Sequence, residues 1–439
     1  MERAPNLVRA FPSFESEHYR ALWIAAAASA VSMWALIMAR AWLALELADS
    51  GLAVGAVTFA AMAPWTLAPI AGALADRFDR ARMIVIGRVL HLNFALILAY
   101  LAFSHSLEVW HLILLAFASG VAWAIENSAQ NALLPNTVDK NSLLNAITLL
   151  SMANFGSRLV GPLIGAPLLA GFGAGWIFVM AAGFYAVSIL LTLRLRLRST
   201  GGLGRSEMSL FTEARRGLAD AFRYIGSNPQ IRLVIAVVSV HCLFTMSFDS
   251  MLPILAKREF DGGTGMFSAL LMGIGGGALI GTLSLSFLRD ASLRGRLFIA
   301  TGIASGLTLA IAGLAPTREL AVLGIALSGG AQAMFVALGS ALIQSVVRDE
   351  IRGRVMSLYA LFGGGVMAVM IFSNGAAADV VNVRYLIWVP GLTFAVLLSV
   401  WALMHSELRH IFTHGVLYLG RAQPEPEPAL AAGGGGGGR

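Results

Sequence analysis

Among the charged side chains inside long apolar segments of this chain, three are the residues most able to do chemistry. They are Glu126, Arg158 and Asp249. A charge in the apolar core of a membrane costs about 3 kcal/mol or more, so each side chain is expected to face a partner or a water-filled cavity. A carboxyl group in such a place can bind and release a proton near neutral pH. We therefore predict that a carboxyl group among these residues binds and releases a proton reversibly.

Other polar residues accompany the three charges at helical spacing. Trp123, Asn127 and Gln130 share one helical face with Glu126. Asn154 lies four residues before Arg158, and His241 lies two four-residue steps before Asp249. We predict that these faces line one central cavity. Glu126 is the first candidate for a proton-binding acid and Asp249 the second, with Arg158 as a charge partner or substrate contact.

Two alternatives stay open at this point. Glu126 and Arg158 could form a fixed ion pair between helices instead of taking part in proton transfer. Asp249 lies close before Lys257 near the end of its segment, so it could be a hydrated acid near the membrane surface. Arg40, near the end of the first segment, is expected only to extend its charged end to the surface.

The elements that position these residues are transmembrane helices. The chain is 57% hydrophobic and 13% charged, with a mean hydropathy of +0.76, whereas soluble domains carry about 25% charged residues. A span needs about 20 apolar residues. Twelve segments satisfy this: 20–45, 51–72, 83–104, 109–131, 142–170, 174–194, 230–256, 266–288, 296–315, 319–345, 353–378 and 384–404. The predicted fold is an all-α membrane protein of twelve transmembrane helices.

A weak internal repeat divides these helices into two pseudo-symmetric six-helix bundles. An offset of 209 residues aligns Gly72 with Gly281 and Arg80 with Arg289, and it places spans 1 to 6 on spans 7 to 12. Between the halves, residues 210 to 225 form an amphipathic pattern that predicts a helix on the inner membrane surface. The predicted organisation is an N-terminal bundle at 1–193, a cytoplasmic linker at 194–229, a C-terminal bundle at 230–405 and a disordered cytoplasmic tail at 406–439.

The placement of positive charge predicts the orientation in the membrane. The net charge is +7, yet only four of the 31 Lys and Arg residues fall in one set of alternate loops: Lys257, Arg258, Arg318 and Arg384. The positive-inside rule therefore puts both termini in the cytoplasm, and we predict a multi-pass protein of the inner (cytoplasmic) membrane. Nucleic acid is not an expected partner, because the charge follows the membrane topology.

The segment GALADRFDRAR at residues 72–82 resembles the loop between spans 2 and 3 of the major facilitator superfamily. The matching residues are Gly72, Leu74, Asp76, Arg77, Arg80 and Arg82. Asp79 replaces the usual Gly, which resembles the macrolide-efflux and siderophore-exporter branch. The resemblance implies that Asp76 holds the halves together on the inside by contacting the start of span 11 near Gly353. The arginines could instead serve only as topology determinants.

Span 5 contains the sequence NFGSRLVGPLIGAPLL, which is similar to the signature associated with antiporters of this superfamily. Gly161, Pro162 and Gly165 match that signature. Small residues allow close helix approach and a proline allows a bend, so the segment is expected to control leakage between the halves. With the loop motif, the similarity implies export.

The predicted function is secondary active transport: proton-coupled export of a small amphipathic molecule, such as a drug or a siderophore, by alternating access. The alternatives are a lipid or lysophospholipid transporter of the same fold, a membrane receptor that does not transport, and an intramembrane enzyme. The sequence contains no Walker, H-E-x-x-H or G-x-S-x-G motif, so neither a cofactor, a metal nor enzymatic activity is predicted. The expected partners are the substrate, protons and the lipid bilayer, and the expected state is a monomer.

Overall fold

The computed structural model of the chain describes residues 12–139, 142–194, 210–285, 288 and 290–417. Twelve helices within these residues are long and apolar enough to cross a membrane. They are called spans 1 to 12: Glu17–Ala48, Gly51–Ala75, Arg80–Phe103, Val109–Asn136, Asn145–Phe172, Ala174–Leu193, Pro229–Glu259, Thr264–Leu285, Ser292–Leu314, Arg318–Val346, Ile351–Ala377 and Tyr385–Met404. The predicted all-α membrane fold is confirmed, and the predicted ends differ by a few residues.

Local sequence sets the start of several spans. The side chain of Ser16 accepts a hydrogen bond from the backbone N–H of Tyr19 at the start of span 1. Asp79 caps span 3 in the same way, and Thr317 caps span 10. Such caps satisfy backbone N–H groups that have no partner within the helix. Span 2 differs, because the side chain of Ser50 makes no such bond to its own helix.

Short connections make consecutive spans antiparallel, so the bundle has two distinct ends. The end that carries the linker helix Leu210–Ser227 and the tail helix Ser406–His414 is called the linker face. The opposite end is called the short-loop face. Its loops are residues 49–50, 104–108, 173, 260–263, 315–317 and 378–384.

The linker helix packs against the second half. Ala221 and Ile225 on its apolar side are buried in the core that spans 7 and 11 also form. Arg354 of span 11 bonds Asp220 of this helix at 3.0 Å. The predicted amphipathic helix is therefore present, and its apolar side is covered at least partly by protein.

The buried apolar core near the short-loop face is built from residues of both halves. One cluster there contains residues from both halves, including Trp42 of span 1 and Phe267 of span 8, whose rings stack at 6.0 Å. Toward the linker face the core separates into two clusters. One lies around Phe335 and contains second-half residues and Met62 of span 2, and the other lies around Leu133 in the first half. The structure is therefore closed at the short-loop face.

Glycines allow the two halves to touch at that face. A Cβ atom on Gly51 of span 2 would lie 2.7 Å from the carbonyl oxygen of Gly375 in span 11. A Cβ atom on Gly375 would lie 2.6 Å from the Cα atom of Gly55. At the linker face, a Cβ atom on Gly72 of span 2 or Gly353 of span 11 would meet no described atom within 4 Å. That the two bundles move as separate bodies stays a prediction.

Substitution of Gly375 by Ala is expected to destabilise the protein. The added methyl group has no room against span 2, and overpacking of this kind costs about 1–3 kcal/mol. The matched control is Gly183→Ala in the middle of span 6, where a Cβ would meet no described atom within 4 Å. Because Gly183 lies in a helix, the control change is expected to stabilise the protein by about 0.5–1 kcal/mol. Thermal unfolding in detergent measures the stability of both variants. Equal unfolding midpoints would contradict the close contact of Gly375 with span 2.

Candidate functional site

A cavity in the linker-side part of the first half collects most of the polar residues predicted from the sequence. Spans 1, 4, 5 and 6 enclose about 480 Å³ of empty space there, which includes an opening to the surroundings. Its lining includes Trp123, Glu126, Asn127 and Gln130 of span 4 together with Asn154 of span 5. The helical face inferred for span 4 does line a cavity, because that span is a regular helix from Val109 to Leu133.

Glu126 is held by a buried ion pair that the sequence analysis missed. Its Oε1 accepts a hydrogen bond of 2.9 Å from Nε of Arg88 in span 3. The Arg88 side chain is fully buried, and its other donors reach Gln130 Oε1 at 3.0 Å, the carbonyl of Ser188 at 3.4 Å and the hydroxyl of Thr192. A buried guanidinium with this set of acceptors is a fixed structural element.

The second carboxylate oxygen of Glu126 has no hydrogen-bond partner among the described residues. His91 Nε2 lies 3.7 Å from it, and the ring of His91 stacks on Tyr185 with 5.1 Å between centroids. Ser29 donates to the oxygen that Arg88 already holds, at 3.3 Å. Glu126 therefore has one oxygen in the ion pair and one near a histidine.

The ion pair between Glu126 and Arg158, kept open above as an alternative, is not formed. Arg88 is the partner of Glu126 instead. One feature of the sequence could have identified Arg88. Arg88 and His91 are three residues apart in span 3 and therefore share a helical face. The sequence analysis did not single out Arg88 because it lies only eight residues after Arg80, where it fits the positive-inside pattern.

Arg158 forms an ion pair that joins the two halves. Its Nη2 lies 2.5 Å from Oδ2 of Asp249 in span 7, and its guanidinium lies 4.7 Å above the ring of Trp34 in span 1. The two charged side chains are 13% and 21% exposed. Arg158 is in the middle of span 5, so Asp249 is deep in the membrane. The alternative of a hydrated surface acid is wrong.

Span 7 is irregular around Asp249. A wide π-helical turn at Cys242–Met246 is followed by a tight 3₁₀ turn at Ser247–Met251. Such turns change the rotation per residue and are frequent at functional sites. Regular four-residue spacing therefore does not place residues before and after the turns on one face.

His241 lies in the core of the second half, away from Asp249. Its Nε2 is 3.1 Å from the hydroxyl of Ser305, and its ring packs between those of Phe335 and Phe394 at 4.4 and 5.0 Å between centroids. The prediction that His241 and Asp249 line the same cavity is wrong. The π-helical turn between them is the physical reason.

A second cavity continues from the first toward the short-loop face. Spans 1, 2 and 4 enclose about 500 Å³ of empty space, and Met33 and Trp123 line both cavities. The rings of Trp65 and Trp123 stack at 4.2 Å. Arg40 lines this second cavity and donates to Ser119 at 3.3 Å, with only 4% of the residue exposed. It is buried and does not extend to the surface as expected.

The loop between spans 2 and 3 shows what Asp79 does in place of glycine. Its carboxylate accepts a hydrogen bond of 2.8 Å from the backbone N–H of Arg82 and so caps span 3. Arg80 donates to the carbonyl of Ala132 in span 4 at 2.8 Å. These contacts fix the loop against the first half.

The predicted inner contact of Asp76 stays a prediction. The Asp76 side chain and all of Arg289, the counterpart of Arg80 in the repeat, lie outside the described residues. Asp76 and Arg77 are the last two residues of the helix Ala68–Arg77.

The antiporter-like segment of span 5 packs closely on both neighbours. A Cβ atom on Gly161 would lie 2.9 Å from Trp34 Cβ, and one on Gly165 would lie 3.1 Å from Met38. The carbonyl of Pro162 accepts a hydrogen bond of 2.9 Å from Ser268 of span 8. The segment thus contacts span 1 in its own half and span 8 in the other half.

The described residues contain no group of three or more His, Cys, Asp or Glu side chains placed to hold a metal ion. The polar groups of the site are instead two ion pairs and several amides. Their arrangement can bind a polar group of a small molecule and can respond to protonation of a carboxylate.

Comparison with solved structures shows the fold. A nucleoside transporter, NupG, superposes with a TM-score of 0.63 at 16% identity, covering 88% of this chain and 98% of the transporter. A POT family transporter superposes with a TM-score of 0.69 at 12% identity, covering 88% and 96%.

Sequence comparison shows similarity to efflux proteins. Macrolide efflux protein A of Streptococcus pyogenes is 21% identical over 393 residues, 89% of this chain and 96% of that protein. The enterobactin exporter EntS of Citrobacter koseri is 26% identical over 381 residues, 84% and 87% of the two chains. The staphyloferrin A transporter of Staphylococcus aureus is 27% identical over 247 residues, 56% and 60%.

The family model MFS_3, described as transmembrane secretion effector, matches residues 8–427. This match covers nearly the whole chain and agrees with the loop motif between spans 2 and 3. The chain is therefore a multi-pass membrane transporter that belongs to the transmembrane secretion effector family of the major facilitator superfamily.

Proposed function

We propose that this transporter exports a small amphipathic molecule in exchange for protons. The efflux activity named for its relatives supports the direction of transport. The observation that carries the proposal is the ion pair between Arg158 and Asp249, because it joins the two halves deep in the membrane. With both termini in the cytoplasm, the linker face is the inner face and this state is closed to the outside.

The pair links protonation of Asp249 to the tilt of the halves. It forms only when Asp249 is ionised, so it stabilises the state that is closed at the short-loop face. When that face opens, Asp249 separates from Arg158, and an isolated carboxylate in an apolar place takes up a proton. When the face closes again, Arg158 returns and the proton leaves through the linker side. One proton thus moves inward in each cycle.

Asp249 suits this role better than Glu126, which reverses the order of the two candidates. Arg88 already neutralises Glu126, and a proton on Glu126 would leave the fully buried Arg88 without a counter-ion. An uncompensated buried charge costs about 3–5 kcal/mol. We therefore assign Glu126 to the wall of the substrate cavity.

The first cavity has the lining of a small-molecule site, because apolar walls are combined with a few polar groups. Aromatic and apolar walls from Trp123 and Met33 accompany the amides of Asn127 and Asn154. Such a lining fits a molecule with both apolar and hydrogen-bonding parts.

Lipid transport would need a lateral passage between the halves. An apolar groove between spans 5 and 8 holds about 980 Å³ of open space. Spans 5 and 8 nevertheless touch beside it, where a Cβ atom on Gly275 would lie 2.8 Å from the backbone nitrogen of Leu159. This contact gives no support to lipid movement in the present state.

Replacement of Asp249 by Asn is expected to abolish transport driven by a pH gradient. Asn cannot release a proton, so the exchange has no coupling step. Proteoliposomes with an imposed pH gradient and erythromycin or enterobactin as the solute measure the rate, which is expected to fall about tenfold or more, a barrier change of about 1.4 kcal/mol or more. The control is Asp261→Asn, at an exposed acid in a short loop. Unchanged gradient-driven transport in Asp249→Asn would exclude Asp249 as the coupling acid.

Replacement of Glu126 by Gln is expected to act mainly on stability. The change leaves Arg88 buried without a counter-ion and should lower the free energy of unfolding by about 3–5 kcal/mol. The double variant Arg88→Gln and Glu126→Gln should recover part of that loss, because no charge then remains. Thermal unfolding in detergent measures both. If Glu126→Gln alone unfolds at the wild-type temperature, the ion pair is not a fixed element.

A further inference from the structure

The start of span 2 is capped by an acid from the other half. Asp379 follows span 11, and its Oδ1 accepts a hydrogen bond of 2.6 Å from the backbone N–H of Gly51. Its Oδ2 accepts from the backbone N–H of Leu52 at 3.0 Å and from the hydroxyl of Ser50 at 2.6 Å. Three donors at the first turn of one half therefore converge on one carboxylate of the other.

This contact replaces a cap that span 2 does not supply itself. The first N–H groups of a helix have no partner within it, and the helix dipole makes that end positive. In most helices a Ser, Thr, Asp or Asn just before the helix satisfies these groups. Ser50 is in that position, but its hydroxyl donates to Asp379 and makes no cap bond. Separation of the halves would leave the start of span 2 without this partner.

Two basic residues at the end of span 7 extend the contact to span 1. Lys257 Nζ lies 3.0 Å from Oδ1 of Asp49, and Arg258 donates to the backbone carbonyl of Asp49 at 2.8 Å. Arg258 also donates to the carbonyl of Ala378 at 3.0 Å and lies 3.6 Å from Oδ1 of Asp379. The second half thus contacts both the end of span 1 and the start of span 2.

We propose that Asp379 latches the short-loop face shut by capping span 2 from across the interface. Opening that face breaks three hydrogen bonds to one carboxylate and separates Asp379 from a positive helix end. The close glycine contact between spans 2 and 11 brings Asp379 within reach. The latch is inferred from the contacts at the short-loop face, and it does not depend on which acid binds the transported proton.

Spans 2 and 11 are antiparallel, so the same arrangement can occur at both of their ends. At the linker face the family resemblance implies that Asp76, near the end of span 2, contacts the start of span 11. At the short-loop face, Asp379, just after the end of span 11, contacts the start of span 2. Each helix then offers an acid to the positive end of the other, and the two contacts alternate as the halves tilt.

The charge on Asp379 persists through the physiological pH range. Burial alone raises its pKa, but the hydrogen bonds from Ser50, Gly51 and Leu52 and the nearby Arg258 outweigh burial and lower the pKa below its usual value. The nearby Asp49 also has a lowered pKa, chiefly because Lys257 donates a hydrogen bond to it. The contribution of Asp379 to stability is therefore present above its ordinary pKa and is lost only as the pH falls through the lowered value. A proton gradient does not open the latch directly.

The test measures how far the short-loop face opens in Asp379→Asn. Asn still fits a helix N-terminus but carries no charge, so folding is expected to survive. Spin labels on Phe172→Cys and Leu314→Cys, two exposed positions at the ends of spans 5 and 9, report the separation of the halves in nanodiscs. The native Cys242 is first replaced by Ser. We expect the ratio of open to closed molecules to rise about fivefold, which corresponds to about 1 kcal/mol.

Two further variants make the result specific. Glu319→Gln removes an exposed acid from the first turn of span 10 on the same face and should leave the distances unchanged. Ser50→Ala removes one of the three hydrogen bonds and should shift the ratio in the same direction but less. A distance distribution in Asp379→Asn that superposes on the wild type overturns the proposal, as does an equal shift in Glu319→Gln. Loss of proton coupling with the latch response intact would reject the proposed function alone.

Discussion

A charged side chain in the interior of a bilayer has no bulk water, and it must therefore find a partner in the protein. This constraint shapes both acids of the transporter. Glu126 pairs with Arg88 inside one half, so a tilt of the halves would not separate these two charges. Asp249 pairs with Arg158 of the other half, so the proposed tilt would separate them. We therefore propose that the first ion pair is structural and that the second responds to protonation.

The short-loop face shows how a closed state is assembled from weak elements. Glycines of spans 2 and 11 allow the backbones to touch, and this contact brings Asp379 to the start of span 2. The apolar core is built from both halves at that end, whereas toward the linker face it divides into two clusters, one of which reaches the first half through Met62. Each hydrogen bond to the charged carboxylate of Asp379 contributes about 1.5–3 kcal/mol, so the closed state can open within a transport cycle.

Regular helical geometry explains which parts of the site could be predicted from the sequence. The twelve spans follow from apolar length, and the cavity face of span 4 follows from spacing along an unbroken helix. The prediction that His241 lines the same cavity as Asp249 is wrong because the π-helical turn after His241 rotates the rest of span 7. Arg88 was missed because a lone arginine near a span end also fits the positive-inside pattern. Asp379 lies in an inconspicuous loop, and its partners are more than 300 residues away in the chain, so no local pattern indicates the contact.

We propose above all that a proton on Asp249 releases the two halves at the short-loop face. The most direct measurement is the fraction of molecules open at that face as a function of pH, in the wild type and in Asp249→Asn. The expected result is an open fraction that rises in the wild type as the pH falls, and one that is high at every pH in the variant. A variant with the same open fraction and the same pH dependence as the wild type would contradict the account.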